Sequence, residues 1–235
     1  MKTVVIVGSS LAGLRAAETL RLEKYEDRIV IVGAERHQPY DRPPLSKKVL
    51  LGEWEAERIS LRKAEDLVKL NVEWKLGSPA QSLNTEKRVL TLSTGEKISY
   101  DGLIIATGSV VRRLTDEPDW KGIHVVRTLD DSLALRAELH PGTKVVVIGA
   151  GFIGLEVAAT ARARGCEVVV LEGADAPMMR GLGAEMGQAA AMVHGDNGVT
   201  MAFNVRVTGL AQGQPGHVGG VNVQDGPMIV ADVVV

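Results

Sequence analysis

Two short glycine-bearing stretches carry the residue types that cradle phosphate. Gly149-x-Gly151-x-x-Gly154 stands between a β-branched run, Lys144–Ile148, and an apolar stretch of helical spacing that reaches about Arg164. In that setting the first glycine permits a tight turn, the second lets backbone approach a pyrophosphate, and the third packs helix on strand. The helix start then offers free N–H groups and a partial positive charge to the phosphates, with Phe152 and Ile153 beside them. At the end of the next run, Glu167–Leu171, stands Glu172, 23 residues after Gly149. A carboxylate there can accept hydrogen bonds from both hydroxyls of an adenosine ribose. The bland alternative is a glycine turn that only packs.

The earlier stretch departs from the pattern. Gly8-x-Ser10-x-x-Gly13, with Leu11 and Ala12 inside it, has serine at the second glycine position, and its candidate ribose acid, Glu35, comes 27 residues after Gly8. Serine is small and adds a hydroxyl donor, but the spacing exceeds the usual ~20. Taken alone, this stretch reads either as a second dinucleotide turn or as a plain packing unit.

Each turn needs a strand before it and a helix after it. The first is expected between Thr3–Val7 and a helix to about Leu22, followed by a strand over Arg28–Val32. The two strand–turn–helix–strand units start 141 residues apart, which implies two α/β domains rather than a solenoid. Between them, Pro39–Lys47 is too proline-rich for a helix or a central strand. A charged helical stretch follows. Arg88–Leu92 and Lys97–Tyr100 read as a hairpin, and Leu103–Ala106 as a buried strand ending at Thr107-Gly108. Later elements are a helix over Ala184–His194 and strands over Val205–Leu210, Val221–Val223 and Met228–Val235. The last of these is apolar to its end and is expected to lead into further chain, the bland alternative being a terminal strand tucked into a sheet.

Bulk properties narrow the function. Net charge is −2 over 235 residues, so nothing points to nucleic acid or an anionic membrane as partner. No apolar run reaches the roughly 18–20 residues of a membrane span. The start of the sequence lacks a signal-peptide pattern, and there is one cysteine, Cys166, so a reducing compartment, the cytoplasm, is expected. The five histidines are scattered without metal spacing, and no metal is expected.

The segment Tyr40-Asp41-Arg42-Pro43-Pro44-Leu45-Ser46-Lys47 resembles the signature of the FAD-dependent, NADH-linked ferredoxin reductases of oxygenase systems. Similarity continues through Tyr100–Gly108, Gly122–Asp131, Gly151–Glu156 and residues 178–187. The resemblance implies two doubly wound Rossmann-like domains, an FAD domain over 1–113 and an NAD domain over 114–235. The NAD domain would be inserted in the FAD domain and end at the strand that returns to it. It implies FAD and NADH as cofactors and a ferredoxin or rubredoxin as electron acceptor. Residue by residue, it puts Gly8, Ser10, Leu11, Ala12 and Gly13 at the FAD pyrophosphate, Glu35 near the adenosine, and the Ala80 backbone at the adenine. Ala106, Thr107, Gly108 and Arg127 would complete the pocket. Arg42 and Lys47 would lie along the flavin, with Lys47 close to N5 and paired with Glu156, together the candidate catalytic pair. A cation there stabilises the negative charge of a reduced flavin, and a carboxylate orients the cation.

Without the resemblance, Lys47 reads as a surface lysine, Arg127 as a strand-end ion-pair residue, and Glu156 as a first-turn acid favouring the helix dipole. The absence of sulfur from Arg42–Lys47 excludes the disulfide and peroxide chemistries that place cysteine over the flavin. Cys166 reads as a small buried apolar residue. Rival readings are an NADH-sensing flavoprotein like apoptosis-inducing factor, and a nucleotide-binding fragment without turnover.

Glu172 also selects the nucleotide. A ribose 2′-phosphate about 4 Å from a carboxylate meets roughly 1 kcal/mol of repulsion in water and about 4 kcal/mol at an effective dielectric of 20. No Lys or Arg stands in Gly173–Ala176 to offset it, although Arg180 follows. Steady-state kinetics are expected to give kcat/KM for NADH at least about fivefold above that for NADPH. Equal or higher values for NADPH would refute this.

Overall fold

The structure is a computed structural model and describes residues 2–235. The chain divides into two compact units: the chain up to Asp41 with Ala56–Val110, and Arg42–Glu55 with Val111–Val235. The expected 113/114 division lies close to the third crossing point, 110/111. The difference is Arg42–Glu55, which precedes that division in sequence yet belongs to the later unit.

The first unit opens with β1 (Thr3–Val7), α1 (Leu11–Leu22) and β2 (Arg28–Val32), the bounds expected from their β-branched runs. The segment that belongs with the second unit carries a 3₁₀ turn over Pro43–Ser46 and the one-turn helix α2 (Lys48–Leu51). Pro43 and Pro44 occupy the first positions of that turn, where a missing N–H costs nothing. The first unit resumes with α3 (Ala64–Lys69), β3 (Glu73–Lys75), β4 (Ala80–Asn84), β5 (Val89–Leu92), β6 (Lys97–Ser99) and β7 (Gly102–Ile105).

The main sheet of this unit is parallel, in the order β3-β2-β1-β7. Strand alternation sorts its side chains between two faces. Val5, Val7, Val30 and Val32 pack with Leu90, Leu92 and Ile98 from the antiparallel sheet β4-β5-β6. Ile6, Ile29 and Ile31 pack on the other face with Ala17 of α1. Each such buried side chain contributes about 1.5–3 kcal/mol.

The second unit continues with α4 (Leu129–Glu138), β8 (Lys144–Ile148), α5 (Phe152–Ala163), β9 (Glu167–Leu171), α6 (Met179–Asp196) and β10 (Val199–Ala202). It ends with β11 (Val207–Gln212), β12 (Val218–Val223), β13 (Ile229–Val230) and β14 (Val233–Val234). Its parallel sheet runs β10-β9-β8-β14, with α5 packed on β8 and β9. The antiparallel sheet β11-β12-β13 shares a core with the parallel one, joining Val218 and Val221 to Val146, Leu171 and Val234. In both units, then, an antiparallel three-stranded sheet shares a core with one face of the parallel sheet.

Several elements differ from the sequence expectations: the short strands β3 and β10 are not among the expected ones, and β11 and β12 begin two residues later and three residues earlier than expected. Helix α4 is not among the expected elements, although Thr128 and Asp131 form a full capping box at its start. Strand β4 is also unexpected, because Ala80–Asn84 has no β-branched residue and is exposed throughout. Helix α6 begins five residues earlier than Ala184, with a break in helical geometry at Gly183, φ +79°. The expected strand Met228–Val235 is two strands. β13 pairs antiparallel with β12, and β14 pairs parallel with β8, so the chain changes sheets between them.

The helix-to-strand packing sets one clear test. A Cβ on Gly154 would lie 2.1 Å from the Gly149 carbonyl oxygen, whereas one on Gly151, at φ −76°, would meet nothing within 4 Å. Gly154→Ala is therefore expected to destabilise the protein by more than about 2 kcal/mol in urea unfolding. Gly151→Ala should change stability by less than about 1 kcal/mol, the scale of an N-cap substitution.

Candidate functional site

Helix α5 begins at Phe152 with Gly151 as its N-cap, and no side chain caps its first N–H groups. Gly149 holds φ +105°, a conformation that favours glycine, and its N–H is tied to the Leu171 carbonyl at 2.8 Å. The turn is thereby fixed to the carboxyl end of β9, where Glu172 follows. Both Glu172 oxygens are held by backbone: Oε2 accepts from the Ala150 N–H at 2.7 Å and Oε1 from the Ala174 N–H at 2.9 Å. These groups line a cleft of about 830 Å³ together with Gly151, Phe152, Met178 and Arg180. Arg180 thus faces the same cleft as Glu172, six residues after Ala174. Sequence distance alone did not bring it there; the turn into α6 does.

The first unit repeats the arrangement. Helix α1 begins at Leu11 with Ser10 as N-cap, and the Ser10 hydroxyl makes no capping bond. Ser10 has φ −90°, so a side chain is tolerated without backbone strain. Gly8 cannot be replaced so easily: at φ +122°, its Cβ would lie 2.0 Å from the Ala106 carbonyl oxygen. Gly13 plays the part of Gly154, with a Cβ position 1.8 Å from the Gly8 oxygen. Ala106, Thr107 and Gly108 follow β7, and the Ala106 N–H donates to the Val7 carbonyl at 2.7 Å. They stand, like Gly8, at the carboxyl ends of parallel strands, where such sheets bind ligands.

Matching hydrogen bonds align the two acids. Gly8 N–H donates to Val32 as Gly149 N–H donates to Leu171, so Gly33 stands where Glu172 does. Glu35 lies two residues further on, and its carboxylate accepts the Tyr40 hydroxyl. Ala80 opens β4 opposite Leu92 and is exposed.

A second group of candidates meets within the later unit. Lys47 Nζ lies 2.7 Å from Glu156 Oε2 and donates to the Pro43 carbonyl at 2.9 Å. Arg42 donates to the Arg127 carbonyl, and the Arg127 N–H donates to Asp131 Oδ2 at 3.1 Å. Arg42, Lys47, Arg127, Ile153 and Glu156 line a cleft of about 280 Å³. The Lys47–Glu156 pair is 46% and 32% exposed at its side chains, so it adds only about 0–1 kcal/mol to stability. Its value is in where it puts charge. Glu156 is the fifth residue of α5, and no acid lies in that helix's first turn, so a helix-dipole role does not account for it.

Other candidates stay outside these clefts. Cys166 is fully buried, its thiol donates to the His140 carbonyl at 3.3 Å, and burial pushes the thiol above its usual range. That is the expected small apolar residue. Among the described residues no group of His, Cys, Asp and Glu could hold a metal ion, and no helix is long and apolar enough to cross a membrane.

Both turns fit a dinucleotide pyrophosphate: a positive-φ glycine, a close helix–strand crossing, and first-turn N–H groups that no side chain caps.

Comparison with known proteins agrees with this geometry. The chain is 38% identical over 230 residues to the ferredoxin–NAD(+) reductase subunit of a benzene 1,2-dioxygenase system from Pseudomonas putida, covering 97% of this chain and 55% of that protein. Putidaredoxin reductase in its covalent complex with putidaredoxin superposes with a TM-score of 0.92 at 32% identity, over 99% of this chain and 57% of that one. A ferredoxin reductase from Rhodopseudomonas palustris superposes with a TM-score of 0.92 at 38% identity, over 100% and 58%. The chain thus spans about half the length of the curated relatives it matches. The family model for pyridine nucleotide-disulphide oxidoreductases matches residues 2–235, and the chain belongs to that family.

Proposed function

We propose that this protein is an NADH-dependent flavoprotein reductase that passes electrons through FAD to a small iron–sulfur protein of ferredoxin or rubredoxin type, in the cytoplasm. The observation that carries the proposal is the pair of uncapped helix starts, Ser10–Leu11 and Gly151–Phe152, each at the carboxyl edge of its own parallel sheet. One such site binds one dinucleotide, and hydride transfer between a nicotinamide and a flavin needs two.

Bound FAD supplies an acceptor for a nicotinamide hydride and a donor of single electrons to the iron–sulfur partner. The residues of the chain position and tune. Gly149, Gly151 and Gly154, with Phe152 and Ile153, admit the NADH pyrophosphate to the start of α5, and Glu172 takes its adenosine ribose. The two N–H bonds to Glu172 fix its carboxylate before the nucleotide arrives, which lowers the ordering cost of binding. Gly8, Ser10, Leu11, Ala12 and Gly13 take the FAD pyrophosphate. Glu35, the Ala80 backbone and Ala106–Gly108 take the rest of the FAD nucleotide. Arg42, Lys47 and Arg127 place positive charge along the flavin, and Glu156 orients Lys47.

The relatives supply the acceptor class. One is named for reduction of a dioxygenase ferredoxin, and another is seen with putidaredoxin. A protein that carries this chain at the full length of its relatives is expected to purify with a flavin absorption band that bleaches within seconds of anaerobic NADH addition and recovers when an oxidised ferredoxin is added. The 235-residue chain by itself is expected to hold FAD weakly and to pass electrons poorly. Absence of a bound flavin, or of bleaching, in the full-length protein would refute the proposal. A reduced flavin–NAD complex that persists for minutes with ferredoxin present would favour a sensing role instead. Gly151→Ala should keep the flavin band and weaken NADH binding by about tenfold, since its methyl would stand where backbone meets pyrophosphate.

A further inference from the structure

Among the described residues the buried serine and threonine side chains are Ser46, Ser132 and Thr160, which are 4%, 0% and 7% exposed. All three hydroxyls serve one short segment. Ser132 Oγ donates to the Leu45 carbonyl at 2.6 Å, and Thr160 Oγ1 donates to the Ser46 carbonyl at 2.8 Å. Ser46 Oγ donates to Glu156 Oε2 at 2.5 Å, the same oxygen that faces Lys47 Nζ at 2.7 Å. Glu156 and Thr160 are four residues apart on α5, so one helix face meets both Ser46 and Lys47.

A buried hydroxyl is expensive to bring out of water unless it is hydrogen-bonded. Three of them converging on Leu45–Lys47 mark a segment whose position is specified by side chains, since it lies in no long element. The half-exposed ion pair alone does not restrict Lys47 to one geometry, because a long amine chain keeps its rotamer freedom in water. The Ser46 hydroxyl acts differently: it approaches the carboxylate oxygen from the protein side and stops the carboxylate from turning. With that oxygen fixed and the Pro43 carbonyl as a second acceptor, the Lys47 ammonium has one resting place.

We propose that Ser46 is a positioning residue for the Lys47–Glu156 pair, its buried hydroxyl fixing the carboxylate oxygen on which the Lys47 ammonium rests. This rests on the placement of Lys47 beside the flavin made above.

The test is a double-mutant cycle on the FAD-loaded protein, comparing wild type, Ser46→Ala, Glu156→Ala and the double variant, with Lys47→Met as reference. Three quantities are read: the rate constant for flavin reduction by NADH, the flavin midpoint potential, and the thermal midpoint of the FAD-free protein. Ser46→Ala should slow reduction about tenfold with little change in NADH affinity, and should move the potential in the same negative direction as Lys47→Met. In the Glu156→Ala background the same change should alter the rate less than about twofold, leave the potential in place, and no longer lower the thermal midpoint. Ser132→Ala reports the cost of losing an equally buried hydroxyl. Equal effects of Ser46→Ala in both backgrounds, or no effect in the wild-type one, would overturn the proposal. If Lys47→Met leaves rate and potential unchanged, the placement of Lys47 at the flavin fails instead, and the role of Ser46 in this reaction fails with it.

Discussion

Each nucleotide turn depends on one steric constraint, the contact between its last glycine and the carbonyl of its first. Gly13 sits over the Gly8 carbonyl and Gly154 over the Gly149 carbonyl with no room for a methyl group. That closeness sets the distance between helix and strand and leaves the first-turn N–H groups at the sheet edge, where anions are favoured. The middle position obeys a different rule. Ser10 and Gly151 both have ordinary negative φ, so backbone strain does not require glycine at either. Under the proposed function, glycine at 151 leaves room for a ligand's approach and serine at 10 offers a hydroxyl to one.

The internal repeat runs further than the glycine turns. In the first unit the Asp101 N–H donates to the Thr3 carbonyl, and its carboxylate accepts from the Thr3 N–H at 2.7 Å. In the second, Asp232 does the same to Lys144, accepting at 2.8 Å. Each aspartate thus clamps the first residue of a central strand just before a neighbouring parallel strand begins. Tyr100-Asp101-Gly102 and Ala231-Asp232-Val233 share little beyond that acid, so the repeat is carried by a hydrogen bond rather than by resemblance of residues. The same clamp accounts for the break between β13 and β14, because Asp232 must leave one sheet to reach the first residue of β8.

The central strands and the helices after the glycine turns were legible because runs of Val and Ile, buried on both faces, have one stable home. What escaped had a weaker or different signal. Ala80–Asn84 pairs as a strand only because the neighbouring hairpin offers an edge. Thr128 and Asp131 spelled out a capping box, but the flanking residues had only a weak apolar period to mark the helix. Among site residues, Glu172 and the glycines were legible from spacing, and Lys47 and Glu156 only through a resemblance. Arg180 could not be assigned, since its approach to the cleft depends on the turn between Ala174 and Met178.

Arg42–Lys47 lies in no long element and holds two of the proposed flavin-site residues, Arg42 and Lys47. Two prolines fix its start, and a 3₁₀ turn leaves few internal hydrogen bonds to hold the rest. Irregular backbone must find partners elsewhere, and here the Leu45 and Ser46 carbonyls find them in hydroxyls from α4 and α5. Apolar packing by Leu45, Val49 and Leu50 would hold the segment down, but it would not set the direction of a charged side chain. Hydrogen bonds have direction and hydrophobic contacts do not. Among the described residues the three buried serine and threonine hydroxyls all belong to or bond the Leu45–Lys47 segment, where the proposed role of Lys47 needs a direction to be set.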